Sequence, residues 1–128
     1  MKKIVLVVVV LTALIVLAIP AFRTGPGEMP VTRTAVEVSE IRIACRAYLQ
    51  EFGAFPSGAV TTVCRSLAGE NPRSICFIQF PKDHRATDGS FLDAWGTPYR
   101  IDFEGTNLVI ASAGKDRRWG TKDDIRKE

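Results

Sequence analysis

The sequence is poor in histidine. His84 is the single histidine among 128 residues, and it lies in the charged segment 82–85 with no glycine-framed serine beside it. One histidine excludes zinc sites built from several histidines, and a catalytic triad needs a nucleophile and an orienting acid near its histidine. No glycine-rich phosphate-binding loop is present either. We therefore expect His84 to lie on the surface and the protein not to be an enzyme.

The chain also lacks the charge pattern of a nucleic-acid-binding protein. Its 17 basic and 14 acidic residues give a net charge of +3 and are interleaved from Arg23 onward. A nucleic-acid-binding surface usually shows a basic stripe with aromatic residues, and no such stripe is visible in this sequence. We expect no nucleic-acid partner.

Long apolar runs are absent except at the N-terminus, where residues 4–19 read IVLVVVVLTALIVLAI after two lysines. A cleaved signal peptide needs small residues at the cut, and cleavage after Ala21 would leave Ile19 at position −3. The run, extended to Phe22, just reaches the length of a spanning helix. We expect residues 1–22 to be an uncleaved, single-pass anchor in the inner (cytoplasmic) membrane, with a cleaved signal as the alternative. In both cases the lysines stay inside and the domain lies outside the cytoplasm.

Three cysteines follow the apolar run, and in that compartment they are free to form disulfides. Their odd number excludes complete internal pairing, and their spacings match no zinc signature. Cys45 falls on the apolar stripe of a predicted helix, so we expect a buried thiol. Cys64 and Cys76 are then either a disulfide pair or small buried apolar residues.

A long amphipathic helix is predicted after a linker. Residues 23–33 contain two prolines and two glycines and indicate the linker. Thr34 and Glu37 have the form of a capping box, and Gly53 provides the stop. Between them, apolar residues recur at helical spacing, which predicts a helix over 35–52. The residues of this stripe are Val38, Ile41, Cys45, Tyr48, Leu49 and Phe52.

The remaining segments predict a small sheet. A short helix is expected over 60–68, a strand or extended segment over 74–80, and two strands over 99–103 and 108–111 joined by a four-residue hairpin connection. The fold class is therefore α+β, with an N-terminal membrane helix and then a long amphipathic helix packed on a small antiparallel sheet. The globular domain is expected over 34–128.

A turn with two aromatic residues is expected just before the hairpin. We expect Trp95, Pro98 and Tyr99 to belong to the core, with Trp95 docked against the long helix. Asp93 should accept hydrogen bonds from the backbone of this turn, as aspartate commonly does.

Three segments of the chain form an ordered set. The first is the helix end with isoleucine, alanine and tyrosine in 41–48, followed by GAFP at 53–56. The second is DAWGTPY at 93–99, and the third is SAGKD at 112–116 with DDI at 123–125. In this order they resemble segments of the major, G-type pseudopilins of type II secretion systems. The resemblance implies a pilin-like fold, a calcium ion in the late loop, and assembly of subunits through their N-terminal helices into a filament.

The late loop carries the candidate metal ligands Asp116, Thr121, Asp123 and Asp124. Calcium takes six to eight oxygen ligands, and this loop offers three carboxylates and a hydroxyl. On the residues alone, a solvated loop whose aspartates pair with neighbouring lysines and arginines is the favoured explanation. The resemblance favours calcium, with Asp116 and Asp124 as the first ligands.

The N-terminal end departs from the resemblance. The apolar run contains no glycine and no glutamate, so we do not expect processing by a prepilin peptidase. The expected function is a structural or assembly subunit of a type II secretion or pilus-type machine, with other pseudopilin or secretion-machine subunits as partners. The alternative is a stand-alone, membrane-anchored extracytoplasmic binding module that uses the same fold.

Overall fold

The computed structural model describes residues 29–128. Two helices, α1 (Met29–Phe52) and α2 (Val60–Leu67), precede three strands, β1 (Arg100–Glu104), β2 (Asn107–Ser112) and β3 (Ile125–Lys127). The strands form one antiparallel sheet in the order β1-β2-β3, and α1 packs on β2 and β3. The predicted α+β, pilin-like arrangement of the globular domain is confirmed.

The predicted anchor at 1–22 lies outside the described residues, as does the first part of the predicted linker. Within residues 29–128, no helix is both long and apolar enough to cross a membrane. The anchor therefore stays a prediction.

Helix α1 is longer than its periodicity predicts. It is already helical at Met29, six residues before the expected start, so the last part of the predicted linker is helical. The prediction of a capping box is wrong, since Thr34 and Glu37 lie inside the helix and form hydrogen bonds with other segments. The predicted end at Phe52 is confirmed, and Gly53 follows at φ +77°.

The core lies between α1, α2 and the inner face of the sheet. The predicted apolar stripe of α1 and the short helix α2 both supply buried side chains, and Tyr99 is the largest residue that is fully buried. The rings of Phe80 and Phe91 stack on each other in this core, with their centroids 4.3 Å apart. The remaining buried apolar residues are Val38, Ile41, Ala44, Cys45, Val63, Cys64, Leu67, Ile101, Leu108, Ile110, Ala111 and Ala113.

All three cysteines are free thiols in the structure. Cys45 and Cys64 are buried, as expected for Cys45, while Cys76 is exposed. Burial raises the pKa of Cys45 to about 12 and that of Cys64 to about 11. These two thiols act as small core residues.

The sheet differs from the prediction at its ends. Glu104 pairs with Asn107, so two residues rather than four connect β1 to β2. Residues 74–80 form no strand, whereas the charged end of the chain forms β3, with Ile110 paired to Lys127. Strand β3 fixes the far end of residues 113–124, which makes this segment a loop closed by two paired strands.

Candidate functional site

The turn at 93–99 is held by one buried carboxylate. Asp93 is 3% exposed, and its Oδ1 accepts hydrogen bonds from the backbone N–H groups of Trp95 at 3.0 Å and Thr97 at 2.9 Å. Its Oδ2 accepts from the hydroxyl of Ser112 at 2.6 Å. The predicted backbone-bonding role of Asp93 is confirmed, and the carboxylate has a donor for each oxygen, as a buried charge requires.

Helix α1 is fastened to the same turn by a second buried carboxylate. Glu37 accepts hydrogen bonds from the hydroxyl of Tyr99 and from Nε of Arg33, the latter at 2.9 Å. Nδ1 of His84 lies 3.2 Å from the same oxygen that Arg33 contacts. Burial, followed by the Glu37 carboxylate, raises the pKa of Tyr99 well above its ordinary value. These contacts hold the sheet against the helix.

Two predictions about single side chains need correction. His84 was expected on the surface, but its side chain is only 22% exposed because the short 3-10 helix Lys82–His84 turns it toward Glu37. Of the three residues expected in the core of the turn, only Tyr99 is buried, whereas Trp95 is half-buried and Pro98 is exposed. Tyr99 is therefore the aromatic residue that bonds to the helix.

Ser112 links the turn to the loop at 113–124. Its hydroxyl donates to Asp93 and accepts from the backbone N–H of Gly114 at 3.1 Å. Gly114 has φ +73°, and a Cβ there would lie 2.0 Å from the carbonyl oxygen of Asp123. Only glycine fits this crossing of the two ends of the loop.

Inside the loop, the predicted ligands bond mainly to the loop itself. Oδ1 of Asp116 accepts from the N–H of Arg118 at 2.9 Å, and this bond is the main reason why the pKa of Asp116 is lowered. Oδ2 of Asp124 accepts from the N–H of Gly120 at 2.9 Å. The hydroxyl of Thr121 lies on the same turn and donates to the carbonyl of Arg118 at 3.3 Å.

One oxygen in this loop has no protein partner. Oδ1 of Asp124 is buried and accepts no hydrogen bond. Buried polar atoms almost always have a hydrogen-bond partner. A buried carboxylate oxygen without one is a suitable ligand for a hard cation. Side-chain clusters of three or more His, Cys, Asp or Glu suited to a metal do not occur among residues 29–128. A calcium ion here would therefore also need the hydroxyl, backbone carbonyls and water.

The loop is also attached to β1 by a contact that the sequence pattern did not indicate. The guanidinium carbon of Arg100 lies 4.2 Å from the centroid of the Trp119 ring. Such cation–π contacts contribute about 0.5–1 kcal/mol at exposed sites. No periodicity or spacing relates these two residues, so only the folded sheet shows their contact.

The outer face of α1 carries an exposed apolar stripe. Met29, Val36 and Ile43 recur every seven residues and are 61%, 51% and 68% exposed. Residues seven apart lie on one side of a helix, about two turns from each other. This face points away from the core and is available for contact with another chain.

The helix, the three-stranded sheet and the closed late loop together define a pilin-like fold. A solved structure with this fold is the crystal structure of the major pseudopilin from the type 2 secretion system of enterohaemorrhagic Escherichia coli. The two structures agree with a TM-score of 0.51 over 77% of this chain and 82% of that one, at 19% sequence identity. No protein-family model and no curated protein sequence matches the chain.

Proposed function

We propose that this protein is a pseudopilin-like structural subunit of a type II secretion or pilus-type machine in the cell envelope, and not an enzyme. The observation that carries the proposal is the fold shared with a major pseudopilin. The order of the three sequence segments supports it, because each segment occupies a structural position in this fold: the end of α1, the turn at 93–99, and the loop before β3.

Two features of the N-terminal half support assembly with other subunits. Residues 4–19 are apolar enough to hold the chain in the inner membrane as a single-pass anchor, with the domain outside the cytoplasm. The exposed stripe of Met29, Val36 and Ile43 then continues from this end along α1. The proposed partners are other pseudopilin or secretion-machine subunits that pack their own helices on this stripe.

We also propose that the late loop holds one structural calcium ion. Asp124 supplies the unpaired Oδ1, and Asp116 supplies a second carboxylate on the same loop. Thr121 and Asp123 complete the proposed set of protein ligands. The ion would supply positive charge to the loop and fix its conformation between β2 and β3.

Co-purification tests the assembly role. The tagged full chain is produced in cells that contain a prepilin peptidase and the other subunits of a type II secretion machine, then cross-linked in the membrane and isolated. We expect pseudopilin subunits among the cross-linked products. Their absence from every preparation would contradict the proposal.

A substitution on the exposed stripe tests the proposed contact face. Ile43→Lys should abolish the cross-links, because a charge would be buried without a partner in the packed helices. Thr106→Lys is the matched control, since it places the same charge at the exposed tip of the hairpin. If both variants lose cross-links to the same extent, or if neither variant loses them, the stripe is not the contact face.

A further inference from the structure

Two arginines of α1 have no acidic partner on their own helix or elsewhere in the described chain. Arg42 and Arg46 lie one turn apart, and neither makes an ion pair within residues 29–128. Like charges at this spacing destabilise a helix slightly.

These arginines face a cavity at one corner of the sheet. The cavity measures about 340 Å³, and besides Arg42 and Arg46 its polar lining comes from Glu104, Asn107, Arg126 and Glu128. Strand β3 pairs only with Ile110–Ser112 of β2, so the part of β2 that borders the cavity has a strand partner on one side alone.

The ionic side chains of the cavity are three arginines and two glutamates. Arg126 is paired with Glu128 at 3.1 Å, whereas Glu104 makes no ion pair among the described residues. Nε of Arg42 is moreover buried without a hydrogen-bond acceptor. A buried donor of this kind costs stability unless an acceptor is supplied.

We propose that this corner cavity is an oxyanion-binding site, with Arg42 and Arg46 as the ligating residues. The planar guanidinium group presents paired donors that match a carboxylate or a phosphate, and such charge-assisted bonds are the strong ones. The oxyanion comes either from a free small anion or from a carboxylate side chain of a second protein chain. Glu104 lowers the affinity by repulsion, since it lies in the same cavity.

The test follows the Nε–H signal of Arg42 by NMR in the full chain in detergent micelles. Sodium phosphate and sodium citrate are titrated against sodium chloride at equal ionic strength. We expect a saturable shift with phosphate or citrate and none with chloride. Absence of a saturable shift with both anions would overturn the proposal, because it requires an accessible oxyanion site.

Two substitutions should change the citrate affinity in opposite directions, and together they distinguish a specific binding site from a general effect of net charge. Citrate affinity, read from backbone amides of α1, should fall about tenfold in Arg42→Gln, because a charge-assisted bond is lost, and should rise in Glu104→Gln. Arg73→Gln is the matched control, an exposed arginine paired with Glu51 outside the cavity, and should leave the affinity unchanged. Equal losses in the two arginine variants, or no rise in Glu104→Gln, would overturn the proposal.

The source of the oxyanion is distinguished by cross-linking the full chain with and without citrate. If citrate displaces a second chain, cross-links decrease, and a carboxylate of that chain is the natural ligand. If cross-links persist while the NMR shift saturates, the ligand is a free anion. The NMR shift is independent of the exposed stripe, since it is read at Arg42 and not from cross-links.

Discussion

The aspartate turns at 93–99 and 113–124 begin alike and end differently. At 93–99, Asp93 accepts from the N–H two residues ahead, and at 113–124, Asp116 does the same with Arg118. Asp93 is buried and receives a further bond from Ser112, nineteen residues away. Asp116 is exposed and bonds only within its own loop.

The difference indicates what holds each turn in place. The first turn is fixed by the rest of the protein, because Thr34 of α1 accepts from the N–H of Ala94 and Ser112 of β2 donates to Asp93. The second turn is fixed at its ends by Gly114 and β3, while Oδ1 of Asp124 remains unpaired inside it. The first turn is therefore structural, and the second is the one whose stability a bound cation would change.

The largest expected effect is the loss of the buried carboxylate. Asp93→Ala leaves the N–H groups of Trp95 and Thr97 and the hydroxyl of Ser112 without their acceptor. Hydrogen bonds to a charged group contribute about 1.5–3 kcal/mol each, so the loss of three should lower the free energy of unfolding by about 4.5 kcal/mol or more. Urea denaturation of the full chain in detergent measures it.

Asp93→Asn is the control for this prediction. The amide oxygen retains the two backbone bonds and only the contact with Ser112 changes, so the loss should be much smaller. If Asp93→Ala and Asp93→Asn destabilise the protein equally, the backbone bonds of the turn are not what Asp93 contributes.

The sequence predicts the elements with a strong period better than those held by long-range bonds. The apolar stripe of α1, its end at Phe52 and the hairpin strands follow from local spacing, and all are confirmed. The sequence of β3 has the pattern of a charged tail. Its pairing with β2 uses backbone groups, and the side-chain pattern does not reveal such pairing.

The candidate sites divide in the same way. The residue types of the loop and of the turn are visible in the sequence, and so is the role of Asp93. Glu37 was assigned to a helix cap, whereas its partner Tyr99 is 62 residues away, a separation that no local rule reaches. The loop ligands stay a prediction, since the sequence shows carboxylates but not which oxygen is left unpaired.

Calcium should have the next largest effect, and only on the second turn. A ligand that binds the folded state stabilises it by mass action, by about 2.7 kcal/mol at a hundredfold excess over its dissociation constant. We expect calcium to raise the melting temperature of the full chain and EDTA to reverse it. The paired variant Asp116→Ala and Asp124→Ala should show no response to either.

Asp102→Asn is the matched control for calcium, because Asp102 is an exposed acid on β1 outside the loop. It should respond to calcium as the unmodified protein does. An unchanged melting temperature of the unmodified chain in saturating calcium would remove the metal assignment and leave the loop as a purely protein-held turn.

A smaller effect is expected at the link between the two turns. Ser112→Ala removes one bond to Asp93 and one to Gly114, and we expect a loss of about 2 kcal/mol in the free energy of unfolding. Because Gly114 begins the loop, the calcium response should also shrink. Ser57→Ala, at an exposed serine, should change neither quantity. A full calcium response in Ser112→Ala would show that the two turns are independent.

The smallest effect is the pH dependence of Asp116. Its folded-state pKa is lowered from an ordinary value of 3.8, chiefly by the N–H of Arg118. The carboxylate therefore adds stability above the unfolded pKa, and this contribution is lost as the pH falls through the lower, folded pKa. Asp116→Asn should flatten the acid side of the melting-temperature profile below the ordinary aspartate pKa of 3.8.

Asp88 provides the internal reference for that profile. Its pKa is also lowered by a backbone N–H two residues ahead, from Ser90, but it lies outside the late loop. Asp88→Asn should flatten the profile in a similar way in the absence of calcium. Added calcium should move the acid transition further down in pH only while Asp116 is present, because a proton and the cation compete for its carboxylate. The same calcium shift in Asp116→Asn would show that Asp116 is not a ligand, even if the loop binds the ion.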